Sequence, residues 1–243
     1  MRDQLDPGLT IVIPIYNEEE SLLRLEQAVG GYLDKASMDC DVLMVDDGST
    51  DRSLDMMKAI CQRDRRFKYI SFQSNCGLSA AIKAGFDHVQ REWTGYMDSD
   101  LQTTPDDFEV LWAHKDLFDL VTGIRVKRED STIKKLSSSF ANGFRRLFTH
   151  DGMADTGCPL KIIKTSVAQK IPMFKGLHRF LPAMVLLQEG KIHQIEVRHF
   201  PRQQGQSKFH VANRLLGPLA DCFAFLWMKR KYIHYQIAET NDA

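Results

Sequence analysis

An α/β sandwich with a mainly parallel central sheet is the fold this sequence predicts, on three observations. Short apolar runs alternate with longer helical patterns four times in the first half of the chain, the alternation that builds parallel sheets. The polar and acidic clusters follow the apolar runs, after Pro14, Val45, Phe72 and Met97, where open α/β sheets bind ligands. The 243 residues are 43% hydrophobic and 26% charged, which suits one large domain with its own core and excludes a disordered or collagen-like chain.

Each element follows from its pattern. Leu9–Pro14 reads as a buried strand, and Leu22, Leu23, Leu25, Ala28 and Val29 as a helix face, with Glu18–Glu20 expected in the first turn, where the helix dipole favours acids. Asp41–Val45 is the second strand, and the helix after it runs through Leu54, Met57 and Ile60 with Asp51 or Ser53 as cap. Phe67–Phe72 is a third strand and Ser79–Val89 a third helix. Thr94–Met97 is a fourth strand, and Pro105 opens a helix, proline being favoured in a first turn. Leu117–Gly123 is a fifth strand, residues 131–150 read as helical, Leu160–Ile163 and Ile192–Val197 as short strands around a helix at Arg179–Gln188, and Val211–Tyr232 as a last helical region.

Several function classes fall away. Thirty-two basic and 32 acidic residues cancel, which disfavours a nucleic-acid partner bound by bulk charge. Five cysteines without a CxxC pair argue against a structural zinc site or a disulfide framework and suit a reducing compartment. The polar start Met1–Pro7 does not read as a signal peptide, and no run of about 18 apolar residues predicts a membrane span. A cytoplasmic location is expected.

Three motifs carry chemistry. Asp98-Ser99-Asp100 with Gln102 offers oxygen ligands to a hard cation such as Mg²⁺ or Mn²⁺, though acid pairs also occur in plain surface turns. Asp46-Asp47-Gly48-Ser49-Thr50-Asp51 reads either as a turn with a helix cap or as an acid facing a nucleobase or ribose. Asn75-Cys76-Gly77-Leu78-Ser79 opens a helix with a glycine that permits close backbone approach to phosphate. It matches neither the dinucleotide fingerprint nor a P-loop.

Together, Ile13-Pro14-Ile15-Tyr16-Asn17-Glu18, the Asp46–Asp51 segment, Asn75–Leu78 and Asp98–Gln102 resemble family 2 glycosyltransferases of the GT-A (Rossmann-like) α/β/α fold. Within that family, Val121–Arg125, Asp155-Thr156-Gly157-Cys158-Pro159, His178–Pro182 and Arg202–Lys208 are similar to the polyprenyl (dolichyl) phosphate mannosyl- or glucosyltransferase branch. The resemblance spans residues 9–210 and implies metal-dependent, inverting transfer of a hexose from a nucleoside diphosphate sugar, such as GDP-mannose or a UDP-hexose, to a polyprenyl phosphate. It further implies that Pro14, Tyr16, Glu18, Asp46 or Asp47, Gly77 and Asp98 line the nucleotide site. Asp98, Asp100 and Gln102 would hold the metal. Arg125, Asp155, Arg202 and Lys208, with Ser138 or Ser139 and Lys134 or Lys135, would face the acceptor phosphate and sugar. Asp98, Asp100, Arg125, Arg202 and Lys208 are the expected catalytic set. Ser99 stands where many relatives carry alanine, and Thr103-Thr104-Pro105 where many carry His-Pro-Pro.

The expected division is a catalytic domain over 1–208 and a C-terminal amphipathic helical extension over 209–243. Leu215–Trp227 followed by Lys229-Arg230-Lys231 suits a membrane interface, packing on the catalytic domain, or a contact between copies of the chain in a homo-oligomer. Peripheral attachment to the cytoplasmic face of a membrane is the expectation.

Overall fold

The structure, a computed structural model, describes residues 5–125, 148–149, 151–201, 216–233 and 239. Seven strands form one sheet in the order β3-β2-β1-β4-β6-β5-β7. They are β1 (Asp6–Ile15), β2 (Cys40–Asp46), β3 (Phe67–Ser71), β4 (Arg91–Tyr96), β5 (Leu120–Arg125), β6 (Lys161–Lys164) and β7 (Ile192–Val197). All pairings are parallel except those of β6, which runs antiparallel to β4 and β5.

Helices cover both faces. Leu9, Ile11, Ile13 and Ile15 of β1 meet α1 (Leu22–Leu33), α2 (Ser53–Arg63) and α4 (Phe108–Trp112) through Leu25, Val29, Met57, Ile60 and Phe108. On the other face Val12, Leu43 and Val45 meet Ala81 of α3 (Leu78–His88). Tyr96, Leu120 and Ile163 meet α5 (Thr165–Ala168), α6 (Leu181–Leu187) and α7 (Leu216–Lys231). Because both faces are covered, strands such as β1 and β2 read as continuous apolar runs rather than alternating ones. Gly85 lets α3 lie against β1, since a Cβ there would stand 2.3 Å from Val12 Cγ1.

Several expected elements shift. The acids before α1 do not enter its first turn; the helix begins at Leu22, and Glu18 instead accepts a hydrogen bond from Ser21 Oγ at 2.9 Å. Asp51 Oδ1 accepts from Ser53 N at 2.9 Å in the cap region of α2, while Ser53 Oγ accepts from Glu18 N at 2.8 Å. β4 starts at Arg91, whose polar character hid it, and β5 starts at Leu120 because Leu117 is exposed. Pro105 opens a 3₁₀ turn before α4, and Leu177–Phe180 forms a second one before α6. Of the expected helix at 131–150, only 148 and 149 are described, both helical.

α7 packs on the helices of this face through Cys222 and Phe225, the latter stacked 5.4 Å from Phe180. Asp221 pairs with Arg179 at 3.5 Å. The boundary expected at 208/209 lies outside the described residues.

Candidate active site

Strand order places the crevice. From β1 the chain runs outward through β2 to β3, then returns to lay β4 on the other side of β1. Such a reversal opens a cleft at the carboxyl ends of the two central strands. The loops beyond β1 and β4 carry Tyr16-Asn17-Glu18 and Asp98–Gln102. Pro14 sits where pairing of β1 to β4 has already ended, at Val12 opposite Tyr96, so its missing N–H leaves no gap in that ladder.

The loops on the β1–β3 side are stapled to one another. Asn17, left-handed at φ +51°, donates its N–H to Ser49 Oγ at 3.0 Å and accepts from Thr50 N at 2.8 Å. Asp46, 1% exposed, accepts from Ser49 N at 3.0 Å and Ser71 Oγ at 2.7 Å. Asp47, 4% exposed, accepts from Cys76 N at 2.7 Å, Asn75 Nδ2 at 2.9 Å and Gly77 N at 2.9 Å. Gly48, at φ +70°, lies against the Ser74–Asn75 backbone, where a Cβ would approach Ser74 C to 2.4 Å. Both acids hold the loops together through these bonds. The bonds fit the turn-and-cap reading, and they tie the loops that carry Tyr16, Glu18 and Gly77 to one another.

The acid motif leaves β4 through a strained bend. Leu101 is left-handed at φ +54°, which costs a residue with a Cβ on the order of 1 kcal/mol. The bend turns Asp100 back so that its Oδ1 accepts from Gln102 N at 3.2 Å, and Asp98 Oδ1 accepts from Tyr96 Oη at 2.7 Å. Burial and the charge of Asp100 push the Asp98 carboxyl up to about 6, against the pull of Tyr96, Lys161 and Arg125. A buried carboxyl that resists ionisation is short of positive charge, and the donors of Asp98, Asp100 and Gln102 are all oxygens, so they fit a hard divalent cation. Among the described residues no three His, Cys, Asp or Glu side chains form a closed metal site. Asp98, Asp100 and Gln102 would thus supply part of a coordination shell that substrate oxygens and water complete.

Arg125, at the end of β5, makes a two-pronged pair with Asp155, at 2.8 Å (Nε) and 2.9 Å (Nη2). Asp155 also accepts from Gly157 N at 3.1 Å. Phe200 N donates to the Gln102 carbonyl at 2.9 Å, so the chain sets out toward Arg202 from beside the acid loop. Arg202, Lys208, Lys134, Lys135, Ser138 and Ser139 themselves lie outside the described residues.

Two further residues with perturbed side chains were given no role of their own from the sequence, His178 having been read only within His178–Pro182. Lys161, 3% exposed, stands in register between Tyr96 and Thr122 and donates to the Cys158 carbonyl. Burial holds its ammonium below the usual lysine range. Its place within Asp155–Lys161 was the available signal. The other is His178, whose Nδ1 is 2.8 Å from Ser79 Oγ at the start of α3. Burial, then the charges of Arg179 and Lys161, push His178 down to about 3. With the folded value below the ordinary 6.5, the unfolded chain takes the proton first. The stability this histidine allows is complete above pH 6.5 and is lost as pH falls toward 3. His178→Gln should therefore flatten the wild-type fall in Tm between pH 6.5 and 4, measured by thermal melts across that range.

Comparison with known proteins decides the family. The model of glycosyl transferase family 2 matches residues 10–171. The chain belongs to glycosyl transferase family 2. This family 2 chain is 31% identical over 203 residues to an undecaprenyl-phosphate 4-deoxy-4-formamido-L-arabinose transferase of Edwardsiella ictaluri, covering 83% of the chain and 62% of that relative. It is 30% identical over 235 residues to a dodecaprenyl-phosphate galacturonate synthase of Rhizobium johnstonii, covering 93% and 70%. The chain thus spans about three fifths of the length of the first of these relatives. The fold is that of glucosyl-3-phosphoglycerate synthase from Mycobacterium tuberculosis, solved with Mn²⁺, UDP and glucosyl-3-phosphoglycerate, at TM-score 0.67, 12% identity and coverage of 92% and 78%. It is also that of a mannosyltransferase from Pyrobaculum calidifontis, solved with GDP-mannose and Mn²⁺, at TM-score 0.64, 15% identity and coverage of 91% and 66%.

Proposed function

We propose that this chain transfers a hexose from a nucleoside diphosphate sugar, GDP-mannose or a UDP-hexose, to a polyprenyl phosphate, with inversion at the anomeric carbon and with Mg²⁺ or Mn²⁺ required. The observation that carries this reading is the acid pair Asp98/Asp100, held by a strained bend at the β1/β4 reversal and faced by Arg125 and Lys161. The relatives named for undecaprenyl and dodecaprenyl phosphate support the acceptor class, and the Mn²⁺ complexes of the structural neighbours support the metal.

A divalent cation supplies Lewis acidity for the charge that develops on the departing diphosphate. The chain's own residues do the rest. Asp98, Asp100 and Gln102 would hold that cation with their oxygens, Tyr96 fixes the orientation of Asp98, and Asp46 and Asp47 keep the nucleotide-side wall closed. A phosphate monoester is already anionic at neutral pH, so the acceptor needs no strong general base. Arg125, oriented by Asp155, and Arg202 and Lys208 serve as electrostatic and positioning groups for it, guanidinium matching phosphate geometry. Ser138 or Ser139, with Lys134 or Lys135, belong to the same acceptor side.

Membrane attachment belongs to the reading. Among the described residues no helix is long and apolar enough to cross a membrane. The outer side of α7 exposes Phe223 (61%) and Trp227 (68%), followed by Lys229-Arg230-Lys231, a combination that suits an anionic interface. We assign residues 209–243 to this role and 1–208 to catalysis, on the cytoplasmic face. Phe223→Ser with Trp227→Ser should cut co-flotation with anionic vesicles by about tenfold without moving Tm; unchanged flotation would remove α7 from the interface.

The deciding experiment incubates the protein with Mn²⁺, undecaprenyl phosphate and each of GDP-mannose and UDP-glucose, then extracts the lipid phase. The expected product is a β-linked lipid phosphosugar. Transfer only to a saccharide hydroxyl, or nucleotide-sugar binding without turnover, would replace this reading with one of its two rivals.

A further inference from the structure

A row of polar residues crosses the sheet at its crevice end. Tyr96 closes β4, Lys161 opens β6 opposite it, and Thr122 of β5 and Gln194 of β7 continue in register. Directly opposed residues share a face, here the one that α3, α6 and α7 cover. Both ends of the row bond to the site. Tyr96 Oη donates to Asp98 Oδ1 at 2.7 Å, and Gln194 Nε2 donates to the Asp155 carbonyl at 3.0 Å.

Lys161 stands in the middle of this row. β6 runs antiparallel to β4 and β5, so its first residue lies toward their carboxyl ends, where the crevice opens. The ammonium turns further that way, since it donates to the Cys158 carbonyl in the loop that precedes the strand. The same loop carries Asp155, bound to Arg125, and Gly157, where a Cβ would stand 2.9 Å from Arg125 Nη2. The charge is thus set between the acid motif and the Arg125–Asp155 pair.

Packing does not call for a cation in this place. Lys161 is 3% exposed, and the residues that follow it, Ile162 and Ile163, are buried apolar ones. Thr122, directly opposite and also buried, leaves its hydroxyl without a hydrogen bond among the described residues rather than sharing one with the ammonium. The acceptor that Nζ does have among the described residues is a neutral carbonyl. A neutral dipole does not cancel an ammonium, so its field reaches the carboxylates on either side, Asp98 and Asp155, which favour its charged form against burial.

We propose that Lys161 is a positioning residue of the transfer site: a fixed positive charge behind the acid motif that loosens its hold on a bare divalent cation and tightens the hold of the crevice on a diphosphate. This rests on the transferase reading above. In consequence the chain takes up the cation together with the nucleotide rather than ahead of it.

Three variants of the full chain test the charge at neutral pH. Lys161→Gln keeps a donor for the Cys158 carbonyl and removes the charge, Lys161→Met removes both, and Lys161→Arg keeps both. Mn²⁺ alone is titrated by the EPR signal of the free ion, and GDP and UDP alone by calorimetry in EDTA. The glutamine and methionine variants should bind Mn²⁺ about fivefold tighter and nucleotide about fivefold more weakly, the scale of a unit charge acting across a few ångströms of partly buried protein. The arginine variant should stay within about twofold of wild type in both arms. A merely structural lysine does not give opposite signs, because a damaged site loses affinity for both ligands. An arm that stays within twofold of wild type in the neutral variants, an arm that moves the other way, or an arginine variant that follows them overturns the assignment. Where nucleotide binds only with Mn²⁺ present, the Mn²⁺ arm decides. If wild type binds neither Mn²⁺ nor nucleotide, alone or together, the transferase reading itself fails and takes this inference with it. Should Lys161→Met not fold, Lys161→Gln carries the test.

Discussion

Asp100→Ala should lower sugar transfer by about a thousandfold, the equivalent of roughly 4 kcal/mol of lost charge stabilisation, while the metal-free protein melts at or above the wild-type temperature. The two halves of this result have one cause. Burial, and then the charge of Asp100, lifts the Asp98 carboxyl to about 6. Removing Asp100 takes away a metal ligand and also relieves its neighbour. The sign follows from linkage: with the folded value of Asp98 above its ordinary one, the native protein binds the extra proton between about pH 4 and 6. In that window the metal-free wild type loses stability as pH rises, by an amount on the order of 3 kcal/mol for this group. Asp100→Ala should lessen that slope while the contribution of burial remains. Melts in EDTA at pH 4.0, 5.0, 6.0 and 7.0 read it directly. A variant with near-normal transfer would separate Asp100 from the metal site.

Asp47→Ala should destabilise the protein by about 3 kcal/mol, a fall in Tm on the order of 10 °C, and should weaken nucleoside diphosphate binding as well. The carboxylate is the shared acceptor for Cys76 N, Gly77 N and Asn75 Nδ2. Its loss strips three donors at once and lets the loop after β3 swing off the crevice wall. Asp47→Asn keeps one acceptor oxygen and should fall between the two. The measurement is a melt paired with GDP and UDP titration in Mn²⁺. A loss of nucleotide affinity at wild-type Tm would mean instead that Asp47 meets the nucleotide itself.

These expectations show where reading the chain succeeds and where it stops. β1 and β2 were legible because each lies between two helical layers, so burial on both faces writes itself as an apolar run, whereas the edge strand β3 is exposed at Lys68, Tyr69 and Ser71. β4 was half legible: Trp93–Tyr96 are buried, but Arg91 and Glu92 extend the strand with polar residues at its outer end. The Asp98-Ser99-Asp100 motif was visible because two acids behind a buried strand are chemically conspicuous. The roles of Asp46 and Asp47 were not, since an acid that caps a loop and an acid that faces a ligand have the same letters. Only their exposure and their donors distinguish them.

What the sequence by itself determined is the alternation of strands and helices, the family, and the placement of each polar motif beyond a strand end, because local periodicity and turn chemistry act over a few residues. The tertiary structure alone decided the order β3-β2-β1-β4-β6-β5-β7, the reversal that brings Tyr16 and Asp98 to one cleft, and the meeting of Ser79 with His178 across 99 positions. Those depend on how distant segments bury one another, and no spacing within a single segment encodes its partner.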